Sequence, residues 1–282
     1  MSIQSYDEIQ SKFDILSVLH HEEETVGKLN KLTSILDNLS EKQIEEETLK
    51  LKQKMHNSSG FTKRIIEHAT SLHQEYVSLV NQLSLSGKVN TESLSNYFIQ
   101  GWYHTSYTTR FEHMFTALLN EEKLQDTNSH GNKFTKLIEH GIDEEEGHEL
   151  WALQDIISLG VKNDIDPLYD VFPETKAIVW SQHDRLTRLP AIGFLGYSFY
   201  LELLIATESY GLLNVLNKCL NTTPKDHKFI YYHYLVDQGH AIDNIELFDR
   251  IVHTEKDFNE IIDNMNFIHT MYYRLTEKSF QS

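Results

Sequence analysis

His233-Tyr-Leu-Val-Asp237-Gln-Gly-His240 sets two imidazoles and a carboxylate at spacings of four and three residues. At 3.6 residues per turn all three share one face of a helix. Imidazole and carboxylate suit first-row metals, and two His plus one acid with open positions is a ligand set of oxygen-activating non-haem iron. With 16 His and 42 acidic residues in 282, this spacing arises by chance about 0.1 times in such a chain. An acid three residues before a His is cheaper, with roughly two expected by the same multiplication, and the chain has Glu145/His148 and Asp237/His240. The weight rests on their combination.

Working outward, 282 residues at 40% hydrophobic can bury a sizeable core. With only 4 Pro and 12 Gly and long periodic segments, turn chemistry is too sparse for a many-stranded sheet, and an all-α fold is expected. The net charge of −17 comes without a basic cluster, which argues against nucleic acid and against an anionic membrane surface. The start, Met1-Ser-Ile-Gln-Ser-Tyr-Asp-Glu, shows no basic region followed by an apolar one, so a cytoplasmic location is expected. One cysteine, Cys219, excludes an intrachain disulfide and a multi-cysteine metal site, leaving His and carboxylate as donors. Cys219 itself reads as a small buried hydrophobe.

Residues 1–88 read as an N-terminal helical extension, and 89–282 as the domain carrying the chemistry. Within the extension, Tyr6 to Leu36 is followed by a capping box at Ser40-x-x-Gln43 and a break at Asn57-Ser-Ser-Gly60 before Phe61 to Leu85. His20/Glu24 reads as a surface pair. Asn90-Thr91 opens a long aromatic helix through Leu119, with Phe111 and Phe115 as a core stripe. A polar loop, Gln125 to Asn132, precedes a segment from Phe134 to Leu159 that stops at Gly160.

In that segment Asp143 is expected to cap a helix with Glu146 as its box partner, presenting Glu145 and His148 one turn apart. A competing set, His140/Glu144/His148, needs the helix unbroken through Gly141, at about 1 kcal/mol relative to Ala. Pro190 starts an apolar helix, Ala191 to Leu216, in which Glu202 sits among Leu201, Leu203, Leu204 and Ile205. An unpaired carboxylate there costs several kcal/mol unless something neutralises it, a metal or a partner such as Arg185, Arg188 or a tyrosine. Thr223-Pro224 opens the helix of the triad, and Asp257 to Lys278 closes the chain.

The ordered set Glu145, His148, Glu202, His233, Asp237 and His240 resembles that of the haem-oxygenase-like diiron oxidases and oxygenases, the iron-containing redox enzyme family. Glu144-Glu-Glu-Gly-His148-Glu-Leu-Trp-Ala-Leu-Gln-Asp155 looks like their first ligand helix, and the likeness spans roughly residues 90 to 255. The resemblance implies a seven-helix haem-oxygenase-like bundle binding two Fe2+ ions through those six residues, with O2 as co-substrate. It implies oxidation of a small organic substrate, by amine N-oxygenation or oxidative C–C cleavage of an amino-acid-like or fatty-acid-like molecule, in natural-product biosynthesis. Electrons then come from an external donor or from the substrate, and a homodimer is compatible with the extension.

Asp155, seven residues after His148, is a candidate acceptor for a ligating imidazole. Arg110 and Arg185 are candidates for gripping a substrate carboxylate. Two other readings stay open. A ferritin-like diiron carboxylate bundle also uses two acid-x2-His pairs but does not need His233. A non-catalytic acidic helical interaction protein needs no metal.

Overall fold

The helices begin and end where the capping chemistry directs. The computed structural model describes residues 23–123, 141–161 and 164–281. It runs through α1 (Glu23–Asp37), α2 (Glu41–Asn57), α3 (Gly60–Ser86), α4 (Thr91–Thr105), α5 (Thr108–Lys123), a helical stretch over 141–145, α6 (Glu149–Leu159), α7 (Pro173–Arg188), a 3-10 turn (Ala191–Phe194), α8 (Leu195–Leu220), a second 3-10 turn (Pro224–Asp226), α9 (Lys228–Ile251) and α10 (Glu255–Ser279). No strand occurs among the described residues. Ser40 and Gln43 form the expected reciprocal box at α2, with Gln43 Oε1 accepting from Ser40 N at 3.0 Å. Asn90 caps α4 by accepting from Ser93 N at 2.9 Å.

Several boundaries differ from the sequence reading, each for a local reason. The long aromatic helix is two helices, broken at Ser106-Tyr107. Thr105, Ser106, Thr108 and Thr109 cluster hydroxyls there, and Ser106 Oγ donates to the Tyr103 carbonyl at 2.9 Å, the kind of local bond that competes with helix propagation. Asp143 does not cap a helix, because the chain is already helical over 141–145. The two Pro-initiated helices each open with a 3-10 turn, so the triad's helix starts at Lys228. Cys219 is exposed, not buried, because it falls on the outer side of the last turn of α8. His20, His21, the loop Gln125 to Asn132, and His140 of the competing set lie outside the described residues.

α8 and α9 form the most extensive helix pair, with α3 and α10 packed on α8, α2 on α9, and α4 on α6. One continuous hydrophobic core runs from Leu29 to Phe280, so the first three helices share it with the rest. Trp102, Trp151, Phe199 and Tyr200 are fully buried within it, each large apolar side chain contributing about 1.5–3 kcal/mol of transfer free energy. At Gly101 a Cβ would overlap the ring of Phe229, so glycine in α4 lets the first turn of α9 seat closely. No helix among the described residues is long and apolar enough to cross a membrane.

Candidate metal centre

Glu145 and His148 flank a turn and are not stacked on one continuous helix. Glu145 ends the helical stretch over 141–145, Gly147 adopts φ +91°, and His148 immediately precedes α6. That φ suits glycine alone without strain. His148 N donates to the Glu145 carbonyl at 3.2 Å, which keeps the two residues together across the turn. The turn is pinned to α1: Thr25 Oγ1 donates to Glu146 Oε1 at 2.9 Å, and Lys28 Nζ lies 3.5 Å from Glu146 Oε2. Beneath it Trp151 stacks on His148, ring centroids 4.3 Å apart, and donates from Nε1 to Thr33 Oγ1 at 2.9 Å.

α9 brings His233, Asp237 and His240 to the same place, all three buried. His233 Nδ1–H donates to the Phe229 carbonyl at 2.7 Å, which leaves Nε2 with the lone pair and aims it inward. Asp155 does not accept from an imidazole. Its two oxygens take Lys228 N at 3.0 Å and Phe229 N at 2.8 Å, so it caps the first turn of α9 from α6. The role differs because an N-terminal helix turn offers free N–H donors, and these reach Asp155.

Glu145 sits between the two imidazole groups. Its Oε2 lies 3.3 Å from His148 Nδ1, and its Oε1 lies 2.8 Å from His240 Nδ1, which is also 3.4 Å from Asp237 Oδ1. One ligand atom from each of Glu145, His148 and His233 falls within 4.8 Å of the others, and the same holds for Glu145, Asp237 and His240. His148 is fully buried, yet among the described residues neither of its ring nitrogens makes an aligned hydrogen bond, and His240 Nδ1, though 2.8 Å from Glu145 Oε1, makes none either. Buried polar atoms are normally satisfied. Imidazole nitrogens that converge on carboxylates without aligned hydrogen bonds are what a His/carboxylate metal site presents without its ion, so the donor set fits iron.

Glu202 faces the same space from α8 but joins neither three-residue group. Arg185, Arg188 and tyrosine do not pair with it. Its oxygens accept from Ser198 Oγ at 2.6 Å and Asn244 Nδ2 at 2.5 Å. Burial pushes its carboxyl upward, and pushes Asp237 up to about 8. Burial opposes charge on Glu145 too, but His148 and His240 beside it hold its carboxyl well below the usual range. Against its own burial, His240 is raised well above the ordinary imidazole value by Glu145, Asp237 and Glu144. Burial and the neighbouring His148 push His233 down to about 3, so its imidazole is neutral and able to donate a lone pair.

Two cavities meet at these carboxylates. One, of about 600 Å3, is lined by Tyr97, His104, Leu201, Ile205 and Tyr272 together with Glu145, Glu202, His233 and Asp237. The other, of about 510 Å3, is lined by Glu112, Phe115, Phe194 and Asn244 with Glu145, Glu202 and His240. Neither arginine singled out from the sequence reaches them. Arg110 is exposed on α5, while Arg185 pairs with Glu260 at 3.2 Å and Asp263 at 2.8 Å on α10, acids of a helix remote in sequence. Glu112 was missed. It is buried at 9% exposure, and the available signal was its position three residues before Phe115, on the core side of α5.

The sequence profile of the iron-containing redox enzyme family matches residues 131–273, half of the chain. A solved structure described as a domain of unknown function with a haem-oxygenase-like fold, from Shewanella denitrificans OS217, superimposes with a TM-score of 0.61. It shares 19% identity, over 78% of this chain and 90% of that one. Among curated proteins, none matches. The match across α6, α8 and α9, together with the shared architecture, places this chain in the iron-containing redox enzyme family, with a haem-oxygenase-like all-α fold.

Proposed function

We propose that the protein is an O2-activating non-haem diiron oxidase or oxygenase acting on a small organic substrate. The observation that carries this reading is the sharing of Glu145 by two buried three-residue groups, one with His148 and His233, the other with Asp237 and His240. A carboxylate with one oxygen toward each group would help hold two first-row ions, which need anionic oxygen donors. Glu202 supplies a further carboxylate from α8. Two ferrous ions, when bound, supply the electrons and open coordination positions for dioxygen activation. The chain's own part is to orient His233 through the Phe229 carbonyl, to take up positive charge on three neutral imidazoles and ionised acids, and to keep bulk water from a buried site.

His233 favours this reading over a ferritin-like one, since it completes the group with Glu145 and His148 and a ferritin-like site does not require it. The larger cavity offers hydroxyls of Tyr97, Tyr197 and Tyr272 and no Lys or Arg among its described lining residues. That lining supports a substrate held by its amine or neutral parts, and so N-oxygenation of an amine over reactions that grip a carboxylate. A role in natural-product biosynthesis, with an external electron donor, accords with that chemistry.

Anaerobic Fe(II) loading followed by metal analysis tests the reading. About two iron equivalents per chain are expected, with an optical change on adding O2. His233→Ala and Asp237→Ala should each lower iron uptake. Well-folded protein that retains no iron, or variants that load like the parent, would refute it.

A further inference from the structure

The two groups around Glu145 leave one buried acid unexplained. Glu112 comes from α5, ahead of the stretch that the family profile matches at 131–273. Its side chain is nine-tenths buried, and among the described residues its Oε2 has no hydrogen-bond partner. It lines the smaller cavity with Glu145, Glu202 and His240. A buried carboxylate with a bare oxygen costs several kcal/mol, and packing alone gives no reason to keep it where Leu or Gln would fill the same space.

Charge supplies the reason. No Lys or Arg appears among the described lining residues of either cavity, and bound divalent ions would supply positive charge to balance the acids. Glu112, Glu145, Glu202 and Asp237 carry four negative charges when ionised, and His148, His233 and His240 bind metal as neutral donors. Two divalent ions bring four positive charges, which match those four acids.

Resting on the diiron reading above, we propose that Glu112 is a fourth carboxylate ligand of the metal pair. It lines the smaller cavity, whereas Tyr97, Tyr197 and Tyr272 line the larger one. The ligand set of this chain thereby extends to a helix outside the family-matched stretch.

The test is anaerobic titration of the full chain with Fe(II), with bound iron and melting temperature read at each step. The parent should bind two equivalents. Glu112→Gln and Glu112→Leu, which keep the volume and remove the acid, should match or exceed the parent's metal-free melting temperature and bind one equivalent normally. The second equivalent should weaken by about tenfold or more, with a smaller metal-induced rise in melting temperature. Both variants taking up two equivalents with parental affinity overturns the proposal while leaving the diiron reading intact. A parent that binds fewer than two equivalents overturns the diiron reading itself, and the fourth ligand falls with it.

Discussion

The ring of His233 is held by the backbone of Phe229, whose carbonyl oxygen lies 2.7 Å from His233 Nδ1. The amide of that same Phe229 donates to Asp155 at 2.8 Å. A carboxylate on α6 therefore sets the orientation of an imidazole on α9 through one residue of main chain. Asp155→Ala leaves the buried Phe229 N–H and the half-buried Lys228 N–H without this acceptor and should destabilise the protein by about 1–3 kcal/mol. Iron uptake should weaken by about tenfold as His233 loses its fixed direction. Denaturant titration and anaerobic iron binding read the two effects, and a variant with lowered stability but parental iron affinity would show that Asp155 only caps α9.

Gly147→Ala probes the turn between Glu145 and His148. A Cβ at φ +91° is strained, and it would stand 3.1 Å from Thr25 Cγ2. A loss of about 1–3 kcal/mol is expected, accompanied by weaker metal binding, because relaxation of the turn separates the two donors. Unchanged melting and iron affinity would mean that the turn is more tolerant than its geometry indicates.

Arg185→Met should separate structure from substrate recognition. Arg185 is buried against Glu260 and Asp263 and lines neither cavity. Stability should fall by about 1–3 kcal/mol through loss of charge-assisted hydrogen bonds, while iron content stays parental. Loss of substrate-triggered spectral change at full stability would reinstate Arg185 as a substrate-binding residue.

The metal-free protein should lose stability in acid partly through His73. Burial pushes this imidazole down to about 3, and its Nε2 lies 3.3 Å from the Tyr200 carbonyl. An unfolded chain titrates it near 6.5. Its contribution is therefore fully present above about pH 6.5 and is lost progressively as pH falls from there toward 3, amounting to a few kcal/mol. His73→Leu should flatten that part of the curve. Urea midpoints at about pH 7 and pH 4.5 decide it, and equal acid losses in parent and variant would assign the effect elsewhere.

The sequence was most informative where chemistry recurs at helical spacing. His233, Asp237 and His240 lie one turn apart on a single helix, so their convergence needs only local geometry, and the Ser40 and Asn90 caps follow from the same short-range logic. Gly147 was harder to read, because what bends the chain there includes Thr25 and Lys28 holding Glu146 from another helix. Arg185 misled for a related reason: its acids lie 75 and 78 residues away on α10, and an arginine looks the same whether it awaits a substrate or an acid of its own chain. Glu112 carries no His three residues away to mark it, and its place between Phe111 and Phe115 is the one hint that separates it from the many solvated acids of this chain.

The ties between α1 and the site span much of the chain. Thr25 meets Glu146 across 121 residues, Thr33 meets Trp151 across 118, and Asp37 meets Tyr232 across 195. Such contacts raise contact order and slow folding, because distant segments must be brought together before either gains from it. At a synthesis rate of about 5–20 residues per second, α1 waits on the order of ten seconds or more for Tyr232 to emerge. The donors of α9 are thus among the last to arrive. If the site holds metal as proposed, its completion and full metal capture come late in the life of the nascent chain.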